Sequence, residues 1–303
     1  MGEPLVSIVT PSLNQARYIE RTLDSIRDQT YPNIEHIVVD GGSSDGTLEL
    51  LSRRADAKLT WTSGPDRGMY DAINKGLREA RGSILAYLNS DDFYPPWAVD
   101  RVVRLLNRRP DVGLVYGDYI RLDEVSGNTM LMLQAPFSRR YLKRIGFLPQ
   151  PTVFWRRSLY ERVGEFDSTL HFVGDCDYWI RASERVELGR LDEVLAYDRI
   201  QPGAKRSVEE GPLARELAGV RARYRDERDF VPAIVVRAIA AMGRRVRWVR
   251  LLKATRSAQK SQGPWSGFLG GYDVRVRPAQ AALSFLPVVG VRFHANALRL
   301  RLR

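Results

Sequence analysis

One cysteine, Cys176, and three scattered histidines, His36, His171 and His294, are all that this 303-residue chain offers of the strongest sulfur and nitrogen ligands. A lone cysteine excludes an internal disulfide and a thiolate zinc site, and it suits a reducing compartment. The histidines have no metal-ligand spacing. His36 falls inside an apolar strand pattern, which predicts a structural role. No apolar run approaches the ~18 residues of a membrane span, and no basic-then-apolar leader opens the sequence, so the expected location is cytoplasmic. Also missing are a Gly-x-x-x-x-Gly-Lys-Ser/Thr loop and a Gly-x-Gly-x-x-Gly after the first strand-like run, which removes a P-loop and a dinucleotide fingerprint. There is no internal repeat and no low-complexity segment.

A hydrophobic share of 44% and a charged share of 27% place the chain among folded globular proteins able to bury a large core. The net charge of +11 is unevenly distributed. Residues 208–303 hold 19 Lys/Arg against 7 Asp/Glu, whereas 1–207 hold 28 against 29. Positive charge therefore belongs to the tail, which predicts a catalytic body over 1–207 and a basic helical region over 208–303 with a separate task.

Between residue 5 and about 116, β-branched runs alternate with helical patterns. Strands are predicted at Leu5–Thr10, Ile34–Val39, Leu59–Thr62, Ile84–Leu88 and Val112–Tyr116, with helices between them, one over Thr47–Arg54 and one over Ala98–Leu106. That order predicts an α/β fold, a mostly parallel sheet flanked by helices on both faces. Ligands of such sheets bind beyond the carboxyl ends of the strands. There the chain places Thr10-Pro11-Ser12, Asp40-Gly41-Gly42, Gly64-Pro65-Asp66 and Asn89-Ser90-Asp91-Asp92.

Asp91 and Asp92 end an apolar strand side by side. Adjacent carboxylates repel, and hard oxygen ligands at a strand tip suit Mg²⁺ or Mn²⁺, which completes its shell with water and phosphate oxygens. The plainer alternative is a solvated Asp-Asp turn or helix cap before Pro95-Pro96. In Asp40-Gly-Gly-Ser-Ser-Asp-Gly-Thr47 the glycines permit close approach of a ligand to backbone, and the later half reads as a helix-capping turn. Asp40, at a strand tip, is able to accept hydrogen bonds from a nucleobase imide or a ribose. In Gly174-Asp-Cys-Asp-Tyr-Trp-Ile-Arg181, Asp175 reads as a helix cap, and Asp177 is expected to pair with Arg181 at i,i+4.

Four segments, Val6-Ser-Ile-Val-Thr-Pro-Ser-Leu-Asn14, Val39-Asp-Gly-Gly-Ser-Ser-Asp-Gly-Thr47, Pro65-Asp-Arg-Gly-Met-Tyr-Asp-Ala-Ile-Asn-Lys-Gly76 and Leu88-Asn-Ser-Asp-Asp92, resemble the family 2 glycosyltransferases in content, order and spacing. The resemblance covers roughly residues 4–207. It implies the GT-A fold and a metal-dependent, inverting transfer from a nucleoside-diphosphate sugar. By position it implies Thr10, Pro11, Asn14 and Asp40 around the nucleobase and ribose, Asp66 and Arg67 along the nucleotide, Asp91 near the ribose, and Asp92 with Asp91 at the metal. It implies Asp175 as general base, Gln150 toward the sugar or acceptor, and Lys205 and Arg206 over the diphosphate. Two positions depart from the family: Asn89 stands where an acidic residue is frequent, and Gln201 where a histidine often precedes Pro-Gly. Phe154 and Trp155, beside Gln150, read equally as core.

From 230 to 303 there are 14 Lys/Arg and one acid, Asp273. Over 231–249, Val231, Val235, Ala238, Met242, Val246 and Val249 share one helical face with arginines opposite, the pattern of a helix lying on a membrane surface. A second apolar stretch, Pro278–Val291, is too short to span a bilayer. The expected partners are a nucleoside-diphosphate sugar, a glycan or lipid-linked acceptor and an anionic membrane. A basic helix packed on the catalytic domain is the alternative, and no recognition motif supports nucleic acid. A sugar nucleotidyltransferase shares this sheet type but carries a Gly-rich basic loop where this chain has Pro11-Ser-Leu-Asn14. A degenerate sugar-nucleotide-binding module would lack the carboxylates at 91, 92 and 175.

Overall fold

The computed structural model describes residues 2–54, 57–124, 127–134, 137, 139, 142–143, 148–202, 210–224 and 297–300. Lys205, Arg206, the amphipathic pattern over 231–249 and the apolar stretch over 278–291 lie outside these residues.

The first half is wound as β1 (Val6–Ser12), α1 (Ile19–Arg27), β2 (Ile34–Asp40), α2 (Thr47–Ser52), β3 (Leu59–Ser63), α3 (Met69–Glu79) and β4 (Ile84–Tyr87). These strands lie side by side in the order β3-β2-β1-β4, all parallel. The period of two in their sequences divides the core. Val6, Ile8, Ile34, Ile84 and Ala86 face one side, where α4 (Ala98–Arg108) covers them with Val99, Val102, Val103 and Leu106, spaced for a single helical stripe. Val9, Ile37, Val39, Leu85 and Tyr87 face the other side, under Ala72, Ile73 and Leu77 of α3.

Beyond β4 the sheet is no longer parallel. The strand expected at Val112–Tyr116 is β5 (Val112–Asp123), and it does not neighbour β4. The three-residue β7 (Phe154–Arg156) sits between them, antiparallel to both. Its Phe154 and Trp155 have no exposed surface, which resolves those two residues as core. β6 (Asn128–Met132) pairs antiparallel with the later part of β5, and β8 (Glu187–Ile200) runs parallel along it. β9 (Ala297–Leu300) adds antiparallel to β6. The result is the mixed, mostly parallel α/β sheet with flanking helices that the sequence predicts.

Three helices complete the description: α5 (Arg157–Val163), α6 (Gly174–Ser183) and α7 (Glu210–Arg223). Although α7 lies past the boundary expected at 207, it packs on the body. Val220 is buried in the cluster that holds Trp155, Trp179 and Ile180, with Leu213, Leu217 and Tyr224 against it. No helix among the described residues is long and apolar enough to cross a membrane.

Candidate active site

The carboxyl ends of β1, β2, β3 and β4 bring together the polar corners noted in the sequence. Parallel register sets Ser12 beside Asp40, and Asp40 beside Ser63. Asp40 is buried and heavily engaged. Its Oδ1 accepts the N–H groups of Gly42 (3.0 Å) and Ser43 (2.8 Å) and the Ser63 hydroxyl (2.9 Å), while Oδ2 accepts the Ser43 hydroxyl (2.5 Å). In this conformation four protein donors fill the carboxylate that was expected to read a nucleobase, and they fix the turn in which Gly42 adopts φ +91°. Thr10 is also turned inward, its hydroxyl 2.9 Å from His36 Nε2, and His36 is buried as a strand residue should be. Pro11 is buried within β1.

Asn14 joins the first two corners. Its N–H donates to Ser43 Oγ (2.7 Å), its Oδ1 accepts the Ser44 N–H (2.9 Å), and its φ of 52° is left-handed, a conformation asparagine tolerates better than most residues. Asp66 is half-buried. Oδ1 accepts the Gly68 N–H at 2.7 Å, and Oδ2 lies so close over Gly41 that a Cβ there would stand 2.8 Å from it. Gly41 is thus the floor on which the Asp66 carboxylate rests. The Arg67 side chain is exposed and reaches back to Asp71 at 3.1 Å. Although burial opposes ionisation of Asp71, hydrogen bonds from Arg67 and Lys75 hold its carboxyl below the usual range. Ser12 Oγ, which the sequence pattern did not single out, is buried at the same rim without a partner among the described residues.

The two carboxylates after β4 have different surroundings. Asp92 is buried, with Oδ1 accepting the Arg199 N–H at 2.8 Å. Asp91 is half-buried, with Oδ2 accepting the Gln201 amide at 2.9 Å. Thr22 donates its hydroxyl to the carbonyls of Ser90 (2.9 Å) and Asp92 (2.7 Å), and Arg199 Nε donates to the Asp91 carbonyl (3.0 Å). The Arg199 guanidinium lies over the rings of Tyr18 and Phe93 and pairs with Glu124 at 2.5 Å. Thr22 and Arg199 do not stand out in the sequence, since their bonds to this corner cross 68 to 108 positions.

Gln150 is buried and spent on the same corner. Its Nε2 donates to the Tyr87 carbonyl (2.8 Å) and its Oε1 accepts Asn89 Nδ2 (3.1 Å). In this conformation it supports the strand tip. Asn89 Oδ1 remains buried without a partner among the described residues. No group of three or more His, Cys, Asp or Glu suited to a metal occurs among the described residues. That donor set still fits the kind of ion inferred from the sequence. Mg²⁺ and Mn²⁺ sites commonly use one or two carboxylates, and substrate phosphates and water supply the remaining oxygens. Asp91, half-buried after β4, offers one such carboxylate.

Asp175 lies in the first turn of α6. Its Oδ1 accepts the Cys176 N–H (2.8 Å) and the Tyr70 hydroxyl (3.3 Å). Tyr70 is buried beneath Gly174, where a Cβ would stand 2.7 Å from its ring, so only glycine lets the helix start this close to α3. Burial, and then the charge of Asp175, push the Tyr70 phenol well above its ordinary range and keep it a donor. Tyr87, the last residue of β4, is raised by burial and by the charges of Asp175 and, more weakly, Asp92. Tyr70, which donates to Asp175, and Tyr87, the last residue of β4, both pack against Phe166, which brings the start of α6 near the end of β4 that the Asp91-Asp92 corner follows. Asp177 is turned away from them, paired with Arg181 at 2.8 Å as its i,i+4 spacing predicts.

A mixed α/β sheet with a carboxylate corner after β4 and a further carboxylate at the start of α6 is the class these features define. The sequence profile of Glycosyl transferase family 2 matches residues 7–164. The chain belongs to this family and is by class a glycosyltransferase. It is 34% identical over 183 residues to an uncharacterized glycosyltransferase of Mycobacterium tuberculosis, a match spanning 59% of this chain and 69% of the relative. It is 33% identical over 185 residues to a PGL/p-HBAD biosynthesis glycosyltransferase of Mycobacterium bovis, spanning 60% and 70%. Among solved structures, the fold is shared with S. aureus TarS in complex with UDP-GlcNAc (TM-score 0.57, 20% identity, 67% of this chain and 61% of that one). It is shared likewise with the mannosyltransferase PcManGT from Pyrobaculum calidifontis in complex with GDP-Man and Mn²⁺ (TM-score 0.58, 20% identity, 94% and 82%).

Proposed function

We propose that the protein is a metal-dependent, inverting glycosyltransferase that moves a sugar from a nucleoside-diphosphate sugar to a hydroxyl of a glycan or lipid-linked glycan. The observation that carries this reading is Asp175, linked through Tyr70 and Phe166 to the end of the strand that Asp91 and Asp92 follow, in a chain of this family. Neighbours of the same fold bound to UDP-GlcNAc, and to GDP-Man with Mn²⁺, support a sugar-nucleotide donor and a divalent ion. A relative named for PGL biosynthesis supports a cell-envelope acceptor.

In this reading the acceptor hydroxyl loses its proton to the Asp175 carboxylate as its oxygen bonds to the anomeric carbon. The bond from that carbon to the diphosphate breaks on the opposite face, and the nucleoside diphosphate leaves with the electron pair. One base suffices, and the anomeric configuration inverts. Such a base contributes ~10²–10⁴ in rate. The Tyr70 hydroxyl holds the carboxylate in position. Asp91 is the first candidate to hold the ion, because Asp92 is buried against the Arg199 N–H; Asp92 keeps the corner in shape. When bound, Mg²⁺ or Mn²⁺ would neutralise charge on the departing diphosphate. Asp66, Asn14 and the rim around Ser12 line the nucleotide side, with Thr10, Pro11 and Asp40 supporting it from behind; Lys205 and Arg206 remain candidates for the diphosphate.

The test is a screen of UDP- and GDP-sugars with Mn²⁺ or Mg²⁺, following diphosphate release by the wild type and by Asp175→Asn. The variant is expected to retain nucleotide affinity and to lose turnover by ~10²-fold or more. Equal turnover removes Asp175 from the mechanism, and wild-type inertness toward every donor overturns the reading.

A further inference from the structure

Helix α6 begins without a side-chain cap of its own: Val173 precedes it and its side chain makes no capping hydrogen bond. Free N–H groups at such an end require acceptors. They come from 43 to 45 residues further along the chain. The Glu216 carboxylate of α7 accepts the N–H groups of His171 (2.7 Å), Phe172 (2.6 Å) and Val173 (2.9 Å). Three charge-assisted bonds to consecutive amides, at the positive end of a helix, form a strong and directional attachment. A second attachment lies two residues past Asp175. Asp177, buried, accepts Arg223 Nη1 (3.1 Å) and the Tyr224 hydroxyl (2.7 Å) in addition to Arg181. Helix α7 and the residue after it thus hold the chain on both sides of Asp175, through backbone amides before it and through the Asp177 carboxylate after it.

A clamp of this kind would stabilise any fold. Its position gives it a further consequence. Asp175 meets Tyr70 at 3.3 Å, a long contact that a small displacement of 171–174 would break, and Gly174 already rests on the Tyr70 ring with no spare room. We propose that Glu216 is a positioning residue for the base: it fixes the 171–174 backbone so that the Asp175 carboxylate stays on Tyr70 and in line with the acceptor. This rests on the reading of Asp175 as the base.

The test uses the full chain and, as probes, UDP-GlcNAc, UDP-glucose and GDP-mannose with Mn²⁺ and water as acceptor, following diphosphate release. Glu216→Ala is expected to lower kcat by ~10-fold or more, as displaced catalytic groups do, with donor KM within about 2-fold. Glu216→Gln, which keeps an acceptor oxygen and the side-chain shape, should recover part of the loss. In an Asp175→Asn background, Glu216→Ala should lower the residual rate no further, because the group it positions is already gone. Amide exchange should quicken at 171–177 and stay unchanged in β1 and β4. Equal losses in both backgrounds, a KM effect with kcat intact, or unaltered exchange at 171–177 each overturn the proposal. Should Glu216→Ala fail to fold, the same comparisons made with Glu216→Gln decide it. Wild-type inertness, or an Asp175→Asn variant as active as wild type, instead removes the base reading and the positioning role with it.

Discussion

Asp91 and Asp92 are adjacent in sequence, yet they occupy opposite environments, one half-buried against an amide side chain and one buried against a backbone N–H. Their substitutions should separate accordingly. Asp91→Ala is expected to abolish the Mn²⁺-dependent part of nucleotide affinity while leaving Tm nearly unchanged. Asp92→Ala leaves the Arg199 N–H without its acceptor and should cost about 1–3 kcal/mol of stability. Calorimetric titration with and without Mn²⁺, beside thermal unfolding, distinguishes the two, and the reverse pattern would move the ion to Asp92. A third carboxylate gives a pH signature. Asp118 on β5 is buried and accepts the Gln134 N–H at 2.6 Å. Burial raises its pKa to about 7, against the lowering effect of that bond and of Arg190. Between pH ~4 and ~7 the folded chain therefore holds a proton that the unfolded chain has released, so Asp118 makes stability fall as pH rises through that window. Asp118→Asn should flatten this slope and raise Tm at pH 8 relative to wild type. An unchanged difference in Tm between pH 5 and pH 8 would contradict it. None of these distinctions between neighbouring carboxylates is present in the sequence, because donors from β8 and the residues after it create them.

At the scale of elements, the alternation of apolar runs located β1 to β4 and their helices to within two residues at most ends. The period of two and the helical stripe are local, and parallel neighbours follow from the winding order. The insertion of β7 between β4 and β5 was not legible. Three residues carry no readable period, and Phe154-Trp155 is buried on both sides because it is central in the sheet. The site divides in the same way. Motif residues at strand ends were visible, whereas Arg199 and Glu216 are joined to them only by the tertiary fold, as is Tyr70, itself within a motif, to Asp175. Gly174 is the most sensitive junction between elements. Gly174→Ala would bring a Cβ to 2.7 Å from the Tyr70 ring, and the ring, packed against Phe166, has nowhere to go. The expected cost is about 1–3 kcal/mol together with a fall in kcat, as α6 lifts Asp175 off Tyr70. Unfolding and turnover measured on the same preparation check it; full activity at wild-type Tm would show that the α6–α3 approach is looser than this geometry.

On the scale of the whole molecule, charge alone fits a basic remainder that begins after 207 or after 224 equally well. Residues 225–303 carry 16 Lys/Arg against 4 Asp/Glu, and 1–224 carry 31 against 32, so the charge step is as sharp after Tyr224 as after Ser207. Packing breaks the tie. Cutting at 207 would remove Val220 from the core, Glu216 from three amides, and Arg223 and Tyr224 from the buried Asp177, while cutting at 224 keeps these contacts and takes away the edge strand β9 beside β6. We therefore expect residues 1–224 to unfold at close to the full chain's Tm, and 1–207 to be much less stable. If the basic remainder serves an anionic surface, each Lys or Arg near the headgroups adds ~1 kcal/mol of attraction that salt weakens. The full chain should then float with phosphatidylglycerol-containing vesicles at low salt, release at high salt, and ignore pure phosphatidylcholine, while 1–224 stays in solution throughout. A full chain that also stays in solution with acidic vesicles at low salt would leave the tail without a membrane role, and equal flotation by 1–224 would move that role onto the catalytic body.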